Sequence, residues 1–241
     1  MTAEKIVLVT GANKGIGAAI AEGLAARGAT VVVAARDRRR GEETAARLGA
    51  RAVVLDVTDD ASVRDAAATV DAWYGRLDVL VNNAGISGGR DGQHPGAVDL
   101  NLIKAVFDTN LYGVIRVTEA FLPLLRRSAD ARIINVSSGT ASLAWMTDPD
   151  HYFAALPATA GYPTAKAALN MLTVQYAKAL AGEDITVTAV APGPCDTDFA
   201  AELGLTLPRT AAQGAAIAVH LATTADRPTA AFLADEGIVP W

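Results

Sequence analysis

Short runs of branched apolar residues punctuate the chain at 6–9, 30–34, 52–55, 79–81, 132–136 and 185–190. Within each run the apolar positions are continuous rather than alternating, the pattern of a strand covered on both faces. Between them lie longer Ala- and Leu-rich stretches with helical spacing, at 18–27, 40–48, 61–74, 98–125 and 164–181. Strand and helix in alternation at this spacing predict βαβ units and a parallel sheet, an α/β fold doubly wound with helices on both faces. No repeat, low-complexity tract or linker divides the chain, so one domain over 1–241 is expected. Two segments break the rhythm: an irregular insertion at about 142–160 and an excursion at about 192–213. In a parallel sheet both leave the C-terminal strand edges, where ligands bind, and the second is expected to act as a substrate lid.

Composition narrows the function classes. Of 241 residues 51% are hydrophobic, and 21 basic side chains stand against 26 acidic ones for a net charge of −5. That balance argues against a nucleic-acid-binding protein, which carries a basic face. One cysteine, Cys195, precludes a disulfide within the chain, and the three histidines show no ligand spacing, so no metal site is expected. No apolar run reaches the ~18 residues of a membrane helix, and the N-terminus lacks the basic start and long apolar core of a secretory signal. A cytoplasmic protein without a membrane partner is the expectation.

The chemistry begins after the first strand. Thr10-Gly-Ala-Asn-Lys-Gly-Ile-Gly17 is a glycine-rich turn opening a helix, where the backbone approaches a pyrophosphate and the helix N-terminus supplies N–H donors. Its Gly-x-x-x-Gly-x-Gly spacing has one more loop residue than the usual dinucleotide fingerprint. Further along stand Asp56-Val57, Asn82-Asn-Ala-Gly85, Asn110, Ser138, Tyr162-x-x-x-Lys166 and Pro192-Gly193 followed by Thr197. Taken in this order, the motifs resemble those of the short-chain dehydrogenase/reductase family over nearly the whole chain. The resemblance implies a Rossmann-type sheet and an oxidoreductase that moves a hydride between a nicotinamide cofactor and a carbonyl or alcohol.

By that resemblance Gly11, Asn13, Lys14, Gly15, Ile16 and Gly17 cradle the cofactor phosphates, Asp56 and Val57 contact adenine, and Asn83, Ala84 and Gly85 wall the adenosine ribose. Pro192, Gly193 and Thr197 hold the nicotinamide carboxamide. At the end of the second strand, an acid would bind a ribose 2′-OH and an arginine a 2′-phosphate. Arg36 stands there with Asp37 after it, and Lys14 is a second cation expected to reach the same phosphate, so NADP(H) is expected over NAD(H).

Tyr162 and Lys166, four apart, share one helix face. A phenol with a pKa near 10 needs a neighbouring cation to ionise readily, so Tyr162 reads as general acid in reduction and general base in oxidation. Ser138 is expected to stabilise the substrate oxygen. Asn110 belongs, by resemblance, to a local helix distortion that holds a water relay from the lysine. The long interval between Ser138 and Tyr162 and the tail ending Val239-Pro-Trp241 resemble the carbonyl-reductase-like branch, although Ala230 stands where that branch places glycine. The expected reaction is reduction of a small aldehyde or ketone to an alcohol. The alternatives are a 3-ketoacyl-thioester reductase, disfavoured because no basic patch would dock an acidic carrier, and a non-catalytic NADP(H) sensor, disfavoured by the intact Asn110, Ser138, Tyr162 and Lys166. The helices of 98–125 and 164–181 are those by which the family commonly dimerises, leaving monomer, dimer and tetramer open.

Overall fold

The computed structural model describes residues 4–241. Eight strands form one sheet in the order β3-β2-β1-β4-β5-β6-β7-β8: β1 (Ile6–Thr10), β2 (Thr30–Ala35), β3 (Arg51–Val54), β4 (Val79–Asn82), β5 (Arg132–Val136), β6 (Thr186–Val190), β7 (Ala231–Ala234) and β8 (Gly237–Ile238). The first seven are parallel and β8 closes the edge antiparallel, pairing Leu233 with Ile238. The helices are α1 (Gly15–Ala25), α2 (Arg38–Leu48), α3 (Asp60–Tyr74), α4 (Leu100–Phe107), α5 (Gly113–Leu125), α6 (Leu143–Thr147), α7 (Tyr162–Ala179), α8 (Asp198–Glu202) and α9 (Ala211–Thr223). Among the described residues no helix is long and apolar enough to cross a membrane.

Continuous apolar strands have their reason in two cores. Leu8, Leu80, Ile133 and Val187 face one way and pack with Val63, Val70, Val117 and Phe121 of α3 and α5. Val7, Val9, Val81 and Ile134 face the other way, toward Ile20 and Leu24 of α1 and Ala215 and Val219 of α9. Alternate side chains thus serve opposite layers, so both faces of a strand call for apolar residues. On the second face small residues set the spacing: a Cβ built on Gly23 would lie 2.9 Å from Val219, so α1 and α9 meet where alanine would already crowd.

Several expectations are corrected here. Six strands were legible; β7 and β8 were missed because they are short, four and two residues, and β7 alternates buried with half-exposed positions. Helix α9 lies where the irregular excursion was expected to end. The long helical pattern at 98–125 is three elements, α4, a π-helical turn over Asp108–Tyr112, and α5. Its apolar period continues through the turn, so the extra backbone residue leaves little trace in the pattern. The insertion at 142–160 is partly ordered by α6 and a 3₁₀ turn over Tyr152–Ala155. It packs on the tail: Ser142 Oγ donates to the Pro240 carbonyl at 2.5 Å, and Trp241 stacks on Phe232 at 5.5 Å. Ala230 has φ +51°, the left-handed region that favours glycine.

Candidate active site

Most helix starts are closed by a side chain. Asp37 caps α2, Asp59 α3, Asp99 α4, Ser142 α6, and Thr210 with Gln213 forms a capping box on α9. The first residues flanking α1, α7 and α8 (Lys14, Gly161 and Thr197) provide no such bond. These three N-termini, uncapped by their own flanking residue, lie at the C-terminal end of the sheet, and they carry the candidate site.

At α1, Gly11 (φ +64°) and Gly15 (φ +55°) take the left-handed backbone that bends the turn. The turn is held from below by Thr10, whose Oγ1 accepts from the N–H groups of Asn83 and Ala84 at 2.9 and 3.0 Å. Asn83 Nδ2 donates to the Thr10 carbonyl at 2.9 Å. A Cβ on Gly17 would fall 2.3 Å from Asn83 Nδ2 and 2.5 Å from the Gly11 carbonyl, so this glycine is set by close approach. The open first turn and its glycine backbone fit a pyrophosphate. Asn13 and Ile16 flank the turn half-buried, with Ile16 packed on the second core.

At the end of β2, Arg36 is exposed and has no ion-pair partner among the described residues. Arg38, Arg39 and Arg40 are paired with Glu42, Glu43 and Asp37. The Asp37 carboxylate accepts from the Arg40 N–H at 3.0 Å, which together with the neighbouring arginines lowers its pKa. The Lys14 ammonium pairs with Asp198 of α8 at 3.0 Å, so an acid on the expected lid competes with a phosphate for this cation. Asp56 closes its own turn, accepting from the N–H and hydroxyl of Thr58 at 2.9 and 2.7 Å, while Val57 packs under Gly113. Pro192 is buried, its carbonyl bound by Arg209 Nε at 3.0 Å, and a Cβ added to Gly15 would lie 3.6 Å from the Thr197 side chain.

Ser138, at the end of β5, and Tyr162 and Lys166, on the first turns of α7, meet at the centre. The Tyr162 phenol is pushed up to about 12 by burial, and a hydrogen bond with Ser138 acts in the opposite direction. Lys166 is 4% exposed, donates to the Val136 carbonyl at 2.7 Å, and lies 5.8 Å from the Tyr162 ring centre. Burial brings its ammonium down to about 8. Ser138 Oγ lies 2.9 Å from Thr140 Oγ1, which places a second hydroxyl beside it.

Asn110 lies in the π turn, fully buried, and clasps Ile86 from both sides: Oδ1 accepts from its N–H and Nδ2 donates to its carbonyl, each at 2.9 Å. Gly85 sits between Asn110 and Lys166, where an added Cβ would be 3.2 Å from Asn110 Oδ1 and 3.6 Å from Lys166 Nζ.

Other residues of the site gave no sequence signal. Asn82 Nδ2 donates to Asn135 Oδ1 and Thr118 Oγ1, and Asn135 Nδ2 to Thr173 Oγ1, forming a buried chain between β4, β5, α5 and α7. Phe199 of α8 lies 5.2 Å from the Tyr162 ring, and Ser87 donates to Glu202 at 3.1 Å, so α8 is laid across the cleft. These pairings join segments far apart in sequence. Of these only Asn82 stands in a motif visible in the sequence, Asn82-Asn-Ala-Gly85. His151 is stacked between Trp145 and Tyr152, each 4.8 Å away, and its Nδ1 accepts from the Phe153 N–H; it orders the insertion.

Comparison with known proteins follows the same outline. A family model described as short chain dehydrogenase matches residues 5–207. The chain is 38% identical over 228 residues to the short-chain dehydrogenase anuI of Penicillium roqueforti, covering 90% of this chain and 88% of that protein. It superposes on an NADPH-bound carbonyl reductase from chicken fatty liver with a TM-score of 0.85 at 31% identity, over 99% of each chain. A 3-ketoacyl-(acyl-carrier-protein) reductase from Brucella melitensis complexed with NADH gives a TM-score of 0.83 at 27% identity, over 96% of each chain.

Proposed function

The chain belongs to the short-chain dehydrogenase family of oxidoreductases, and on that premise we propose that it is an NADP(H)-dependent reductase of small aldehydes or ketones. The whole of 1–241 acts as one cofactor-binding and catalytic unit. The carrying observation is the meeting of Ser138, Tyr162 and Lys166 at the C-terminal sheet edge, with a buried ammonium 5.8 Å from the phenol ring.

Gly11, Gly15 and Gly17 at the open N-terminus of α1 would hold the pyrophosphate of a nicotinamide cofactor, which when bound would supply hydride to a carbonyl carbon or take it from an alcohol. The chain's own residues handle the oxygen. Tyr162 donates its phenolic proton to it during reduction and takes the proton back during oxidation. Ser138 donates a hydrogen bond to the same oxygen as negative charge builds there. Lys166 favours the ionised phenol through its charge. Asn110 fixes Ile86, and with it the Asn83–Gly85 wall and the lysine's surroundings.

Preference for NADP(H) over NAD(H) rests on Arg36. Its neighbours are paired and Asp37 is engaged as a helix cap, so the free guanidinium is the group left to meet a 2′-phosphate. The nicotinamide-bound relatives include one with NADPH and one with NADH, so the choice lies in this side chain rather than in the fold.

The test is NADPH oxidation over a panel of aldehydes, ketones, diketones and 3-ketoacyl thioesters. Turnover is expected with small carbonyls, and Tyr162→Phe should lower kcat by roughly 10²- to 10⁴-fold while NADPH still binds. Undiminished turnover in Tyr162→Phe would refute the mechanism. A marked preference for ketoacyl thioesters would move the substrate assignment to that class.

A further inference from the structure

Tyr162 is the first residue of α7, and its backbone is poorly provided for locally. The flanking Gly161 has no side chain to cap the helix, and Pro163 contributes no N–H. The missing acceptor comes from a residue distant in sequence. Gln93, 3% exposed, accepts from the Tyr162 N–H through Oε1 at 3.1 Å. Its Nε2 donates to the carbonyls of Ser87 and Gly89 at 2.9 and 2.8 Å, and its own carbonyl accepts from the Ala160 N–H at 2.8 Å. Two carbonyls facing one end of the amide and an N–H facing the other fix its orientation, since a flipped amide would lose all three bonds. Glycine makes room on both sides: a Cβ on Gly161 would lie 2.4 Å from Gln93 Oε1, and one on Gly88 2.9 Å from Nε2.

The loop that Gln93 grips is itself tied into the site. Asn110 holds Ile86 at its start, and the Ser87 hydroxyl donates to Glu202 on α8. The amide therefore joins the first turn of α7 to the segment running between Asn110 and the lid.

We propose that Gln93 is a positioning residue for the reaction: it sets the first turn of α7 so that the Tyr162 phenol meets Ser138 above Lys166. This rests on the reading of Tyr162 as the proton donor. A displacement of ~1 Å at a reacting group can cost ~10²-fold in rate, and here a single buried amide fixes where the phenol begins.

Gln93→Met keeps the length and apolar bulk of the side chain and removes its hydrogen bonds. In the full-length protein we expect kcat to fall roughly 10- to 100-fold, with the NADPH dissociation constant unchanged within a factor of about two and a lower unfolding midpoint, because one N–H and two carbonyls lose their partner. The ¹³Cζ resonance of Tyr162, assigned by its loss in Tyr162→Phe, should move. Gly161→Ala, which pushes on Gln93 Oε1 from the opposite side, should reproduce both the kcat loss and the resonance shift should the methionine variant fold poorly. Wild-type kcat with an unmoved resonance would overturn the proposal, as would a loss of kcat that only parallels losses in cofactor affinity and melting temperature. The tyrosine resonance also separates the two ideas. Turnover surviving Tyr162→Phe would sink the proposed mechanism, whereas the response of the resonance to Gln93→Met reports on positioning whatever the reaction.

Discussion

The proposed cofactor side and the proposed substrate side of the cleft are built from different materials. On the cofactor side, from β1 to β4, the surface is backbone: Gly11, Gly15 and Gly17 leave no space for a Cβ or require the left-handed region, and Thr10 and Asn83 brace them through main-chain bonds. The substrate side is made of side chains that reach across loops. Ser87 meets Glu202, Phe199 meets Tyr162, and Trp145, His151, Tyr152 and Phe153 stack on one another in the insertion. Backbone contacts suit a ligand that is always the same, because they need only a fixed chain path. Side-chain contacts can be exchanged without disturbing the sheet, which suits the part of the cleft that chooses among substrates.

The sharpest way to break this contrast is to add one methyl group to the cofactor side. Gly17→Ala places a Cβ against Asn83 and the Gly11 carbonyl at distances that force the backbone apart, at a cost of about 1–3 kcal/mol. Carried into binding, that is up to roughly a hundredfold weaker affinity for NADPH and NADH alike. Calorimetric titration showing unchanged affinity would mean that the turn is less rigid than the contrast requires.

Arg36 is the exception on the cofactor side, a side chain in a backbone site. Arg36→Asp should therefore weaken NADPH alone, by roughly tenfold or somewhat more, the scale of a lost charge-assisted hydrogen bond of about 1.5–3 kcal/mol. The ratio of kcat/KM for NADPH and NADH should move toward NADH. An unchanged ratio would return the specificity to the backbone.

The smallest effect concerns the seam between the halves, where Tyr162 and Lys166 sit. Burial holds the phenol at about 12 and the ammonium at about 8. Below pH 8 Lys166 carries its charge and supports the ionising phenol, so kcat for reduction should be level from pH 6 to about 8. Above that the lysine loses its proton and the rate should decline several-fold, while Tyr162 keeps its own. Lys166→Arg, with a cation that stays charged, should remove the decline. A step that persists in this variant would belong to another group.

Much of the fold could be read from the chain because it depends on local order. Residues 6–9 are apolar throughout, as a strand buried on both faces favours, and the open-ended α1 follows a glycine turn whose spacing is visible in one line of sequence. The positions of Ser138, Tyr162 and Lys166 at one sheet edge follow from that topology once the helix after β5 is placed. Lys14 shows the opposite case. Sequence places it beside the glycine turn and invites a phosphate contact, yet its nearest acid, Asp198, comes from a helix far along the chain. Gln93 lies in a loop with no pattern at all, and nothing in its neighbours foretells the bond to Tyr162.

By itself the sequence determined the alternation of strands and helices, the glycine turn, and the residue types available for proton transfer. Each depends on neighbours within a few positions, through backbone propensity and the period of burial. Tertiary structure alone decided which acid meets Lys14, how α8 is tied across the cleft, and which buried amide holds the tyrosine in place. Those are bonds between atoms separated by tens of residues, and their partners are chosen by how the sheet and its two helical layers pack.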